Sequence, residues 1–154
     1  MINDSLEEFE ALIVKWWKQG KANPLPKMTP EKVLEVYHIA YRLYRDQRYE
    51  EAVHFFRLLT IANPFDGRYW KGLGACLQMQ KQYEEAINCY VCTQILNRHT
   101  LDPYLFVHAA DCYFAVGKKE EGLKALNGAQ WSAGEQGDQQ VLNHVALMRE
   151  RWSN

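Results

Sequence analysis

A six-residue pattern returns along this chain at a nearly constant interval, and it constrains the fold more than any other feature. Residues 47–52 (QRYEEA) reappear 34 positions later as residues 81–86 (KQYEEA), and a weaker copy follows after 36 more as residues 117–122 (GKKEEG). A period of about 34 residues is typical of stacked helix pairs, in which each pair buries its apolar face against the next. The longer second interval predicts two extra residues in the turn near residues 98–100.

Other positions follow the same period and identify the unit as a tetratricopeptide-type repeat. In the second copy, Trp70, Leu73 and Gly74 have the spacing W-x2-L-G, and Tyr83 and Ala86 follow where this repeat carries an aromatic residue and an alanine. Small residues at such positions let two helices approach closely, while bulky residues fill the adjoining holes. The sequence therefore predicts an all-α tetratricopeptide-repeat solenoid.

We expect the 154 residues to form one domain with three helix pairs, an extra N-terminal helix and a C-terminal capping helix. The N-terminal helix and its linker occupy residues 1–28. The repeats are predicted at residues 33–66, 67–100 and 103–136. The capping helix, residues 138–152, carries an apolar stripe that can cover the open side of the third repeat.

Local signals predict where the helices begin and end. Thr29 and Asp102 each precede a proline, which predicts an N-cap followed by a first-turn proline. Gly117 is placed where a left-handed residue ends a helix. The predicted helices lie near residues 4–19, 30–46, 49–62, 67–80, 83–97, 103–116, 119–133 and 138–152.

The concave side of such a solenoid is lined by the first helix of each pair. On the first of these helices Tyr37, Tyr41 and Tyr44 recur at i, i+4 and i+7. Either these tyrosines belong to the core, or they line a groove for an extended peptide, which we predict because tyrosine combines rigid apolar area with a hydroxyl. The predicted groove residues from all three repeats are Tyr37, Tyr41, Tyr44, Lys71, Gln78, Val107 and Asp111, with Phe114 beside them.

The N-terminal helix is more apolar than one buried face requires. Leu6, Phe9, Ile13 and Trp16 spread over much of its circumference. The helix either packs on the first repeat or pairs two protomers, and solvated aromatic patches are rarely left bare. We therefore predict a homodimer through these four residues.

Composition excludes several classes of function. The formal net charge of −1 offers no basic excess for nucleic acid. No apolar run approaches the roughly 20 residues that span a bilayer, and the N-terminus lacks a basic and apolar leader, so we expect a cytoplasmic protein without membrane insertion. Cys89-x-x-Cys92 lies mid-helix rather than at a helix N-terminus, so redox catalysis on these thiols is the weaker interpretation. We expect no enzyme activity, no metal and no cofactor.

Three stretches resemble a known family, the class II chaperones of bacterial type III secretion. They are residues 55–60 (FFRLLT), 69–76 (YWKGLGAC) and 106–113 (FVHAADCY). The resemblance implies a chaperone that holds an extended P-x-L-x-x-P-type segment of a hydrophobic translocator protein in its groove and prevents aggregation and premature association before export. It also implies self-association through the N-terminal region. The alternative is a general tetratricopeptide-repeat adaptor for a polar ligand.

Overall fold

The computed structural model describes Ala11, Lys15, Lys18 and residues 28–153. Within residues 28–153 the chain forms seven α-helices and no strand, which confirms the predicted all-α solenoid, and none of these helices is long and apolar enough to cross a bilayer. They are α1 (Pro30–Arg45), α2 (Tyr49–Ala62), α3 (Gly67–Met79), α4 (Tyr83–Leu96), α5 (Pro103–Ala115), α6 (Lys119–Gln136) and α7 (Gln139–Trp152). The residues predicted to pair two protomers lie outside the described part of the chain: Leu6, Phe9, Ile13 and Trp16.

Side-chain caps fix where four helices begin. Thr29 Oγ1 accepts a hydrogen bond from a first-turn amide of α1 at 3.2 Å, and Asp102 Oδ1 does the same for α5 at 3.0 Å. A proline occupies the first turn in both helices, as predicted. Asp66 caps α3 and Asp138 caps α7 in the same manner. Each cap satisfies an amide that has no partner inside its helix.

The turn inside each helix pair contains one residue with left-handed backbone. These residues are Gln47 (φ 62°), Lys81 (φ 61°) and Gly117 (φ 79°), so the period of the sequence is also a period of backbone conformation. The connections between pairs differ in length. Residues 97–102 join α4 to α5, whereas residues 63–66 join α2 to α3. The later connection is two residues longer, which confirms the predicted insertion.

Helix α6 continues past its predicted end at residue 133 and stops at Gln136. Its last turn is fixed to the preceding connection, because Ser132 Oγ and Gln136 Nε2 both donate to the carbonyl of Leu101, at 3.1 and 2.7 Å. These bonds outweigh the weak helix propensity of Gly134. The helix then ends at Gly137, whose φ of 68° is left-handed.

Each helix packs against its neighbours in sequence, and α7 occupies the place that a fourth repeat would take. It contacts α6 and α5, just as α3 contacts α2 and α1. Val141, Val145 and Met148 are buried against the third repeat, and the ring of Trp152 stacks on Phe114 with centroids 4.6 Å apart. This confirms the predicted capping helix.

Candidate functional site

A cavity of about 320 Å³ opens between the first helices of the three pairs. We call it the tyrosine cavity. Its lining combines aromatic rings with two cations, one histidine and two small residues: Tyr37, Tyr41, Tyr44, Phe56, Arg68, Lys71, Gly72, Ala75, Tyr90 and His108. Four of the predicted groove residues, the three tyrosines and Lys71, are therefore brought together here.

The three tyrosines of α1 are not simply core residues. Tyr37 and Tyr44 are half-buried and pack on the core with part of their surface, while Tyr41 remains 55 % exposed. Ring contacts hold them in place: Tyr37 lies 5.5 Å from Tyr69 between centroids, and Tyr44 meets Tyr49 edge-on at 5.5 Å. Burial raises the pKa of Tyr44, so its hydroxyl stays protonated. The cavity therefore has a rigid apolar wall that also carries hydroxyl groups.

Two glycines of α3 make room for the rings at the base of the cavity. A Cβ added to Gly72 would lie 2.2 Å from Phe56 Cε1, and one added to Gly74 would lie 2.8 Å from Tyr90 Cε1. Phe56 and Tyr90 belong to the second helices of their pairs and reach the cavity only because these positions carry no side chain. The close approach predicted for Gly74 is confirmed.

Tyr90 is held from two sides. Its hydroxyl donates to Gln78 Oε1 at 2.6 Å, and its ring stacks on His108 with centroids 6.1 Å apart. Burial raises the pKa of Tyr90, so it remains a hydrogen-bond donor. Gln78 does not line the cavity itself but fixes a ring that does.

The two cations at the rim are tied to carboxylates. Arg68 donates to both carboxylate oxygens of Asp66, with the shortest contact at 2.7 Å, and its guanidinium lies 5.3 Å from the centre of the Tyr37 ring. Lys71 Nζ lies 2.7 Å from Asp102 Oδ2. The hydrogen bond from Arg68 holds the pKa of Asp66 below its usual value.

The structure corrects the expectation that Val107 and Phe114 face the groove. Both are 5 % exposed and belong to the core formed with α6 and α7. Val107 occupies the same repeat position as Tyr37 and Lys71, 36 residues after the latter. Tyr37 and Lys71 line the cavity, whereas the packing of α6 and α7 on this side of α5 encloses Val107.

The exposed strip of α5 runs instead through Tyr104, His108, Asp111 and Ala115. His108 and Asp111 are solvent-accessible, yet desolvation lowers the pKa of His108 and raises that of Asp111. A concave surface explains both findings, because a side chain there touches water while protein surrounds it on several sides. Asp111 thus lies beside the tyrosine cavity without lining it.

The thiols do not fit a redox site. Cys89 is buried in the middle of α4, and burial raises its pKa to about 12, whereas a reactive thiol needs a depressed pKa. The redox hypothesis predicted the opposite shift. Among the described residues, no group of three or more histidine, cysteine or acidic side chains could hold a metal ion.

Comparison with known proteins places the chain among repeat proteins of secretion systems. The tetratricopeptide repeat family matches residues 35–65 and 69–95. Low calcium response locus protein H of Yersinia pestis is 31 % identical over 111 residues, which cover 72 % of this chain and 65 % of that protein. The chain thus spans slightly less than two thirds of that relative. Chaperone protein SicA of Salmonella typhimurium is 32 % identical over 110 residues, which cover 62 % of this chain and 67 % of SicA.

A solved structure shares the fold over most of the chain. The type III secretion translocator chaperone SycD of Yersinia enterocolitica is 26 % identical, with a TM-score of 0.75 over 82 % of this chain and 87 % of SycD. SycD is also known in complex with a peptide of the translocator YopD. In that form the identity is 26 % and the TM-score is 0.66, over 79 % of this chain and 97 % of that chain.

Proposed function

This chain belongs to the class II chaperones of type III secretion, and from that premise we propose that it binds the hydrophobic translocator proteins of such a system. It acts in the bacterial cytoplasm, where it covers an extended segment of the translocator and prevents aggregation and premature association before export. The observation that carries the proposal is the open, aromatic tyrosine cavity on the concave side.

The cavity suits an apolar side chain on an extended segment. Burying one leucine fully contributes roughly 1.5–3 kcal/mol, and two or three such anchors give micromolar affinity once the costs of ordering are subtracted. The tyrosine hydroxyls offer hydrogen bonds to the backbone of the guest. The groove residues of the proposal are Tyr37, Tyr41, Tyr44, Lys71, Gln78 and Asp111, and the buried Val107 is left out.

Covering one apolar segment is enough to explain a chaperone without a chemical step. A translocator carries segments that later enter a membrane, and exposed apolar surface of this kind aggregates at cellular concentrations. While the segment lies in the groove, it is unavailable for assembly with other chains.

Peptide binding tests the proposal directly. A synthetic peptide with a Pro-x-Leu-x-x-Pro core should bind the wild-type chain, and the pair Tyr41→Ala with Tyr44→Ala should weaken binding at least tenfold, since each ring forms part of the apolar wall. Trp131→Ala is the matched control, because Trp131 is an exposed aromatic residue on α6, outside the cavity. Titration calorimetry measures the dissociation constant, and circular dichroism checks the fold.

Equal loss of binding in the control, or none in the tyrosine pair, would contradict the proposed site. If the leucine of the peptide can be replaced by a polar residue without effect, a general adaptor explains the groove better. Co-expression gives a second test: a translocator that stays insoluble with or without this chain is not its client.

We also propose a homodimer through Leu6, Phe9, Ile13 and Trp16, which the apolar character of this segment supports. Phe9→Glu together with Trp16→Glu should yield monomers in multi-angle light scattering, because charges in an apolar interface are costly. A wild-type chain that is already monomeric at micromolar concentration refutes the dimer.

A further inference from the structure

Each cation at the rim of the tyrosine cavity is already paired with a carboxylate of the protein. Arg68 is paired with Asp66, and Lys71 with Asp102. Each of these carboxylates also caps a helix through its Oδ1 atom, so its position is fixed. Displacing either one would remove the side-chain acceptor of a first-turn amide. A carboxylate on the guest would be repelled by Asp66 or Asp102 as it approached either cation, so the rim offers acidic segments little attraction.

Asp111 is in a different situation. In the part of the chain that the structure describes, no lysine or arginine lies within the 4.0 Å ion-pair distance of its carboxylate. His108, His144 and Arg151 act on it only at longer range. The carboxylate has lost part of its hydration without gaining an ion-pair partner among the described residues, and such a group gains from an incoming cation.

The repeat position, exposure and neighbours of Asp111 together indicate the direction in which its side chain points. Tyr41 and Ala75 line the tyrosine cavity, 34 residues apart, and Asp111 follows 36 residues later at the same repeat position. Asp111 is also exposed, and its carboxylate interacts electrostatically with His108, so it faces the concave surface as the other two do. It also lies one helical turn beyond His108, which lines the cavity.

We propose that the groove recognises a segment with an uncharged apolar side chain for the tyrosine cavity and a lysine or arginine nearby that pairs with Asp111. This inference rests on the proposed function and specifies the chemistry of its ligand. From His108 to Asp111 the helix rises about 4.5 Å, and an extended segment advances about 3.3 Å per residue. With the reach of a long side chain added, the cation falls within about five residues of the apolar anchor.

A peptide series on the full chain tests the inference. Every peptide carries the Pro-x-Leu-x-x-Pro core. One position on either side of the leucine is varied at a time, and at that position the peptides carry lysine, norleucine or glutamate. At the best position we expect lysine to bind about fivefold more tightly than norleucine and glutamate to bind more weakly than both. The advantage of lysine should shrink as salt is added, because the pair is partly solvated.

Two variants assign the effect to one residue. Asp111→Asn should abolish the advantage of lysine over norleucine, while Glu120→Gln, which removes an exposed carboxylate at the start of α6, should preserve it. An advantage that survives in Asp111→Asn, or equal binding of lysine and norleucine at every position, overturns the inference. In either case, loss of binding when the leucine becomes alanine still supports the proposed function. No effect of that leucine change would instead refute the proposed function itself.

Discussion

Replacing Gly72 by alanine should lower the stability of the fold and weaken peptide binding together. The added Cβ would lie 2.2 Å from Cε1 of Phe56 and 2.6 Å from its Cζ, whereas carbon atoms pack at about 3.5–4.0 Å. The ring must therefore move by more than about 1 Å, and the open space beside it is the tyrosine cavity, which it lines. The same substitution that disturbs the core thus reduces the room for a guest.

Two opposing contributions set the change in the free energy of unfolding that Gly72→Ala should cause. Alanine is favoured over glycine in a helix by roughly 1 kcal/mol, and overpacking a core costs about 1–3 kcal/mol. Because three atoms of one buried ring fall within 2.7 Å of the new Cβ, the cost lies in the upper part of that range. We expect a net loss of about 1–2 kcal/mol, which lowers the Tm by about 2–8 °C in a chain of this size.

Gly134→Ala provides the matched control. Gly134 also lies within a helix, but a Cβ there would meet nothing within 4 Å. Only the propensity term applies, so this variant should gain about 0.5–1 kcal/mol and bind peptide as the wild type does. Urea unfolding followed by circular dichroism gives both free energies, and calorimetry gives both affinities. A Gly72→Ala protein that is as stable as Gly134→Ala and binds peptide normally would refute the reasoning.

Three further predictions concern backbone, thiols and charge. Gln47 and Lys81 have left-handed backbone conformations, so Gln47→Gly and Lys81→Gly should each raise the free energy of unfolding by up to about 1 kcal/mol. As a control in the same urea assay, Lys124→Gly within α6 should lower the free energy of unfolding by about 1 kcal/mol. Cys76, Cys89 and Cys112 should not react with a disulfide reagent at pH 8 until urea unfolds the chain, since burial raises the pKa of each to about 12; prompt reaction of native Cys89 would contradict this. Desolvation raises the pKa of Asp111, so ionisation of its carboxyl group opposes folding. Asp111→Asn should therefore be more stable than the wild type at pH 7, and this difference should vanish below about pH 4, where the carboxyl group is protonated in both the folded and the unfolded chain. Urea unfolding that gives the same difference in stability at pH 7 and below pH 4 would contradict this prediction.

Those parts of the fold that depend on neighbouring residues could be predicted closely. The caps at Thr29 and Asp102 and the left-handed Gly117 follow from signals within one turn of chain. The end of α6 could not, because it depends on hydrogen bonds from Ser132 and Gln136 to the carbonyl of Leu101, more than 30 residues away. Such contacts leave no local pattern in the sequence.

Only part of the candidate site could likewise be predicted from local sequence patterns. The tyrosines of α1 could be placed on one face from their spacing alone. Val107 was misplaced because the burial of that side of α5 depends on how α6 and α7 pack, which no periodicity within α5 reveals. Phe56 and Tyr90 were missed as cavity residues because they belong to the second helices. The available signals were two glycines, Gly72 opposite Phe56 and Gly74 opposite Tyr90.

The groove is made by departures from the repeat rather than by the repeat itself. The position that is Gly72 in the middle repeat is His38 in the first and His108 in the third, so only the middle repeat lacks a side chain where the cavity opens. One helical turn further along, the three repeats carry an aromatic, a small and an acidic residue, namely Tyr41, Ala75 and Asp111. Identical repeats would accept a guest in several registers with similar free energy, because each would offer the same contacts. A graded series of contacts makes one register more favourable than the others, and specificity is such a difference in free energy.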